Sequence, residues 1–379
     1  MKRRFVVLLF LFLAVVVIVA FDKKEEKVDI ALLRKSYEQD SRLWPMPFVD
    51  SGVRWVELGT LVSPPTVGKL DSVEQARQLL GKMLFFEPRL SATKQISCSS
   101  CHDPDLSWTD GRQKAIGHNH RVGRRNTMSL QNAWVQKELF WLGRVDNSGH
   151  GALQPLVDPF EMNTPIEVAL EHINSLSGYA PFVYRAFAKS TLDEQSLGIA
   201  LSSYIKSIAS HRTRFDNFVD GRYRALSDEQ VYGLHLFRTK ARCINCHNGP
   251  FFTDFSYHNL GFSHFGSEKQ DLGRYEVTGN PEDVGKFRTP SLRNAFRTGP
   301  WFHDGSFQDL FLVVNMYNAG MPQPRPRKGQ EESPLFPKQD PLLKPLNLTI
   351  EERNAIVRFL EAISSVPMTV KRPNLPDLD

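Results

Sequence analysis

Every cysteine of the chain falls in one of two Cys-x-x-Cys-His segments, Cys98-Ser99-Ser100-Cys101-His102 and Cys243-Ile244-Asn245-Cys246-His247. This pentapeptide is the attachment signal for c-type haem. Its two thiols add across the porphyrin vinyl groups, and the imidazole that follows sits where it can ligate the iron. Two copies with no cysteine left over predict two covalently bound haem c groups, with His102 and His247 as proximal ligands. Two other chemistries use the same spacing. Zinc ribbons close two Cys-x-x-Cys clasps, usually within about 15–20 residues; here the clasps are far apart and each carries its own histidine. A disulfide inside each pair would leave both histidines unexplained.

The elements that must position these groups read as mainly α-helical. Asp71-x-x-Glu74 is a capping box ahead of an apolar-periodic run to Phe86. Thr164-Pro165-x-Glu167 opens a second helix to about Leu176, and residues 193–209 form a third. Ser227 caps a fourth that runs into the second Cys-x-x-Cys-His segment, and Thr349-x-x-Glu352 caps a terminal helix to about Ser364. Strand-like alternation is scarce. A Gly-x-x-x-Phe pattern precedes each haem motif, from Gly81 to Phe85 and from Gly233 to Phe237, and suggests an internal duplication. The expected architecture is two cytochrome c-like helical domains with one haem each, residues 28–210 and 211–379. The proline-rich segment 321–348 reads as a long irregular loop.

Lys2, Arg3 and Arg4 precede an apolar run over residues 5–21, between a signal-peptide core and a minimal membrane span in length. Ile18 spoils the small-x-small match for cleavage after Ala20, which favours an uncleaved N-terminal anchor over a cleaved signal peptide. Lys23-Lys24-Glu25-Glu26-Lys27 follows as a charged stalk that closes segment 1–27. Either reading exports the chain, as haem attachment outside the cytoplasm requires, and places it in the periplasm, free or tethered to the inner membrane. With 379 residues and 41% hydrophobic content the chain can build two packed domains. A formal net charge of +5 is too mild and dispersed to argue for nucleic acid.

Further motifs carry a family resemblance. Residues 80–91 (LGKMLFFEPRLS), 125–127 (RNT), 140–144 (FWLGR), 159–162 (PFEM), 287–294 (FRTPSLRN) and 302–305 (FHDG) resemble the bacterial dihaem cytochrome c peroxidases. That family also contains the MauG-like methylamine-utilisation enzymes, which oxidise a partner protein. The resemblance implies that His118 is a second, displaceable ligand to the first haem iron, a histidine that MauG-like enzymes lack. It implies that Glu161 is the acid–base group that moves a proton during cleavage of hydrogen peroxide. A glutamine expected in that pocket is replaced by Gly151, with His150 beside it as a possible polar substitute and Gln154 out of register. At the second haem, the family's distal methionine position falls on Tyr317, as in MauG-like enzymes, with Met316 adjacent and Met321 or an open site as further alternatives. Helix neighbours point about 100° apart, so Tyr317 and Met316 cannot both face the iron.

The resemblance also implies that Trp141 relays electrons between the haems. It implies a calcium ion bound by the Asn126 side chain and the carbonyls of Thr298 and Pro300, hard oxygen donors suited to that ion. The activity so implied is reduction of hydrogen peroxide by electrons from a small cytochrome c or cupredoxin, entering at the second haem and passing to the first. The alternatives are MauG-like oxidation of a partner protein through a high-valent haem pair, and a plain dihaem electron carrier. Many family members are homodimers.

Overall fold

The computed structural model describes residues 28–64, 71–146, 149–366 and 369–377. The apolar run at 5–21 and the charged stalk at 23–27 lie outside the described residues. Among the described residues, no helix is long and apolar enough to cross a membrane.

Helices dominate, and their ends follow the caps read from the sequence. The longer ones are α1 (Ile30–Tyr37), α2 (Ser72–Phe85), α3 (Ile166–Asn174), α4 (Ala180–Phe187), α5 (Glu194–Ser207), α6 (Arg214–Val219), α7 (Asp228–Arg238), α8 (Leu310–Asn318) and α9 (Ile350–Ala362). Asp71 accepts from the Glu74 amide at 2.8 Å, satisfying an N–H with no partner inside the helix. Asp193, Ser227 and Thr349 close capping boxes on α5, α7 and α9. Helix α7 ends at Arg238, short of the second haem motif; a turn and a 3-10 segment, Cys243–Asn245, carry that motif instead.

Two hydrophobic cores form. The first gathers Leu80, Leu84 and Phe85 of α2, Ala169 and Ile173 of α3, Val183 of α4 and Leu197, Ala200 and Leu201 of α5. The second gathers Phe215 and Phe218 of α6, Val231, Leu234 and Phe237 of α7, Val313 and Val314 of α8 and Ile356 and Phe359 of α9. Fully burying each such side chain is worth about 1.5–3 kcal/mol. Both terminal segments cross over. Tyr37, Trp44 and Leu58 pack into the second core, and Val370 and Leu375 pack against the first. Arg238, fully buried, fixes the N-terminal crossover by binding Glu57, the Tyr37 hydroxyl (3.0 Å) and the Pro45 carbonyl (2.7 Å).

The two helix pairs behind the haem motifs are built alike. A Cβ on Gly81 would meet the Ala200 carbonyl oxygen of α5 at 1.8 Å, and one on Gly233 would meet the Ala355 carbonyl oxygen of α9 at 2.0 Å. The next neighbours match as well, Tyr204 Cβ in one case and Phe359 Cβ in the other. Glycine is required at both crossings because the backbones touch there. This is the physical content of the repeated Gly-x-x-x-Phe pattern.

Two short antiparallel ladders complete the fold. Strand β1 (Glu138–Leu139) pairs with β2 (Val145–Asp146), and β3 (Tyr257–Asn259) pairs with β4 (Lys286–Arg288). Trp141 sits in the turn between β1 and β2, and its carbonyl accepts from the Arg288 amide of β4 at 2.9 Å, so one ladder docks on the other. A buried polar cluster ties distant segments together: Asn294 binds Gln131 (2.8 Å), Ser210 (3.0 Å) and the Ser365 amide (2.7 Å).

Candidate functional site

All four thiols are free, so neither Cys-x-x-Cys pair is a disulfide. Burial pushes the thiols of Cys98, Cys101 and Cys243 up to about 12, which keeps them protonated in the free protein. In the first motif, the short helix Cys98–Cys101 ends at His102, whose Nδ1 donates to the Trp108 carbonyl at 3.1 Å. In the second, His247 Nδ1 donates to the Phe252 carbonyl at 3.0 Å. A carbonyl only accepts, so the proton is on Nδ1 and the Nε2 lone pair is left for a metal. Burial lowers both histidine pKa values, keeping the rings neutral, as a ligand must be. Two half-buried thiols beside a neutral histidine whose Nε2 is left for a metal fit the demands of a covalently attached haem.

Opposite the first motif, the loops carrying His118 and Glu161 are joined: the His118 amide donates to the Glu161 carbonyl at 2.7 Å. Gly117 allows that approach, since a Cβ there would lie 2.0 Å from the Phe160 carbonyl oxygen. His118 is buried and its Nδ1 has no partner, whereas His120 in the same turn is exposed. The half-buried carboxyl of Glu161 is pushed up to about 7, first by burial, then by Asp158, with Arg144 pulling the other way. It lies near enough to Cys98 and Cys101 to raise their pKa values too. The histidine proposed as a polar substitute is not in this pocket. The His150 side chain is 76% exposed and points to Glu194 at 3.8 Å, because Gly151 is wedged against Leu139 and the Asp146 carbonyl and turns its neighbour outward.

The second motif faces an apolar cavity. Cys243, Cys246 and His247 line it on one side, and Leu310, Val313, Val314 and Tyr317 of α8 on another. Tyr317 lines this cavity; its neighbour Met316 and the buried Met321 do not. Burial raises the Tyr317 pKa, and its ring is tilted against Phe302 with centroids 6.4 Å apart. Trp141 lines the cavity as well, with Nε1 donating to the Asn126 carbonyl at 2.8 Å and its ring edge-on to His303 at 6.5 Å. His303 in turn stacks on Phe287 at 3.5 Å. Asn126, Thr298 and Pro300, the three residues of the expected calcium site, all border this cavity. The Asn126 amide nitrogen donates to the carbonyls of Arg112 (2.9 Å) and Gln113 (3.3 Å).

Sequence reasoning missed a half-buried ionic cluster here. His258 lies between Asp254 (2.8 Å) and Asp340 (2.6 Å), and those partners raise its pKa to about 12 against the pull of burial. With Cys246 and Asp254 it forms a group of metal-ligating side chains within 4.8 Å of one another. An imidazolium held by two carboxylates is already satisfied, and Cys246 belongs to the haem motif. Asp340 comes from the proline-rich loop 321–348, so the cluster pins that loop over the cavity. The short range between His258 and Asp254 was visible in sequence; the Asp340 partner was not.

This layout is that of a c-type haem protein, and comparisons with known proteins specify it further. The family described as di-haem cytochrome c peroxidase matches residues 75–224. The cytochrome-c peroxidase IdrP2 of Denitromonas iodatirespirans is 32% identical over 337 residues, covering 82% of this chain and 86% of that protein. The methylamine utilization protein MauG of Methylorubrum extorquens is 32% identical over 313 residues, covering 81% and 84%. A solved structure of a MauG-like protein associated with microbial copper homeostasis superposes with a TM-score of 0.69 at 24% identity, covering 84% of this chain and 96% of that one. The chain therefore belongs to the di-haem cytochrome c peroxidase and MauG family. It is a cytochrome c peroxidase-like oxidoreductase with haem as its cofactor.

Proposed function

We propose that this protein reduces hydrogen peroxide to water with electrons from a small periplasmic carrier, a cytochrome c or a cupredoxin. Haem iron, when bound, supplies the site for peroxide and the route for electrons. The residues do the rest. Cys98, Cys101 and His102 hold one haem, and Cys243, Cys246 and His247 hold the other, each on its own core, with the boundary near residue 210. His118, buried with its Nδ1 unpartnered, would serve the first haem as a displaceable second ligand. Glu161 takes a proton from the inner oxygen of peroxide and returns it to the outer one, so that water departs. Trp141 would relay electrons between the two haems. Each turnover consumes one peroxide, two electrons and two protons and yields two waters.

The observation that carries this reading is the Glu161 carboxyl, half-buried, pushed up to about 7 and tied through its backbone to His118. A proton shuttle works best with a pKa near the working pH. The remaining assignments belong to the same reading: calcium on Asn126, Thr298 and Pro300, an N-terminal anchor, and a homodimer. The test is stoichiometry. Reduced cytochrome c or cupredoxin should be oxidised two molecules per peroxide, and Glu161→Gln should slow that oxidation sharply.

A specific observation favours a second reading, MauG-like oxidation of a partner protein: Tyr317, not a methionine, faces the second cavity. A tyrosinate ligand favours the oxidised iron, whereas methionine raises the potential. Under this reading the oxidised protein reacts with peroxide directly and leaves a covalent change on its partner.

A further inference from the structure

Three arginines are buried among the described residues, and two of them hold a carboxylate. Arg238 binds Glu57, and Arg293 binds Asp216 at 2.9 Å. The third, Arg288 on β4, is 4% exposed and lines the second cavity. Its guanidinium donates to the Gln136 side-chain oxygen and to the Tyr257 hydroxyl (3.3 Å), both neutral, and its Nε is buried with no partner. The nearest acid acting on it is Glu138, which is already engaged by the Tyr257 hydroxyl (2.6 Å) and by Arg274 (3.2 Å). Arg274 and Arg288 flank the same tyrosine ring, at 3.7 and 5.7 Å, so two guanidinium groups share one carboxylate. The acid that lines this cavity, Asp340, is held by His258.

A buried charge without a counter-ion costs several kcal/mol, and burying half of a pair is worse than burying both or neither. The cost is offset if whatever fills the cavity brings an anion. His303, next to Arg288 through its stack on Phe287, adds a second buried nitrogen without a partner, Nε2, to the same wall. The anionic groups of haem are its two propionate carboxylates. Resting on the haem reading above, we infer that Arg288 is the counter-ion for a propionate of the haem attached at Cys243 and Cys246, a positioning residue that also sets that haem's potential.

The test uses the holoprotein, matured with both haems, and an optical redox titration of each haem. Arg288→Gln removes the positive charge and should lower the midpoint potential of the second haem while leaving the first in place; Arg288→Lys should restore it. An unmoved second-haem midpoint in Arg288→Gln overturns the inference. If Arg288→Gln does not mature, the propionate bending band in the resonance Raman spectrum of Arg288→Lys decides. A shift from the wild-type position supports the contact, and an unchanged band overturns it. Haem content is read separately as a pyridine haemochrome. A wild-type chain with fewer than two haems would fail the haem reading itself, whereas two haems with an unmoved potential would fail only the role of Arg288.

Discussion

In the first haem-motif region, His102 leans on the Trp108 carbonyl at 3.1 Å; in the second, His247 leans on the Phe252 carbonyl at 3.0 Å. Behind them, Gly81 and Gly233 let one helix touch another at equivalent points. Across from the histidines the likeness ends. The first region presents His118 and a carboxyl pushed up to about 7, and the second presents Tyr317 in an apolar wall with Arg288 and Trp141. What the two regions share is what attaching and orienting a haem requires. Where they differ, the first carries a carboxyl poised near neutrality and the second an apolar wall with a buried arginine and a tyrosine.

The comparison can be broken at several points. Glu161→Gln should cut peroxide turnover by ~10²–10⁴-fold, the usual worth of general acid–base catalysis, with both haem spectra unchanged. The wild-type rate should rise with pH through about 7, as the proton-accepting carboxylate fills, and that limb should vanish in Glu161→Gln; a limb that persists would assign it to another group. Asp216→Asn should cost about 3–5 kcal/mol in a denaturant titration, because it strands Arg293 in a pair that is fully buried on both sides. Burial raises the Asp216 pKa, but Arg293 and Thr213 more than offset this and hold it below the ordinary carboxylate range. Its contribution is therefore complete above the unfolded value of about 3.9 and is lost as pH falls below that towards the folded value. Gly81→Ala and Gly233→Ala should each lower stability by about 1–3 kcal/mol, since each forces helix backbones apart. Unequal losses, seen by thermal unfolding, would show that the two helix pairs are not equivalent. Smallest of all, Met316→Leu should leave the second-haem spectrum unchanged, whereas Tyr317→Phe should alter it.

Much of this was legible in the sequence because it is local. The haem motifs, the caps at Asp71, Ser227 and Thr349, and the repeated Gly-x-x-x-Phe each sit within a few residues of what they determine. The failures were long-range. Nothing near Tyr37, Trp44 or Leu58 reveals that they complete the second core, nor does the loop around Asp340 announce its bond to His258. His150 was read as a pocket group because sequence proximity does not give side-chain direction; the packing of Gly151 turns it to solvent. Arg288 stood inside a recognised motif, but its missing counter-ion shows only once its neighbours in space are known.

The central claim is that the first region is closed until the second supplies an electron. Hydrogen peroxide should be mixed with the fully oxidised protein, and separately with protein carrying one electron, while the optical spectrum is followed. The account predicts no reaction of the oxidised form and prompt peroxide consumption by the half-reduced form. Prompt reaction of the fully oxidised form would contradict it, showing that His118 does not close the site and moving the assignment to oxidation of a partner protein.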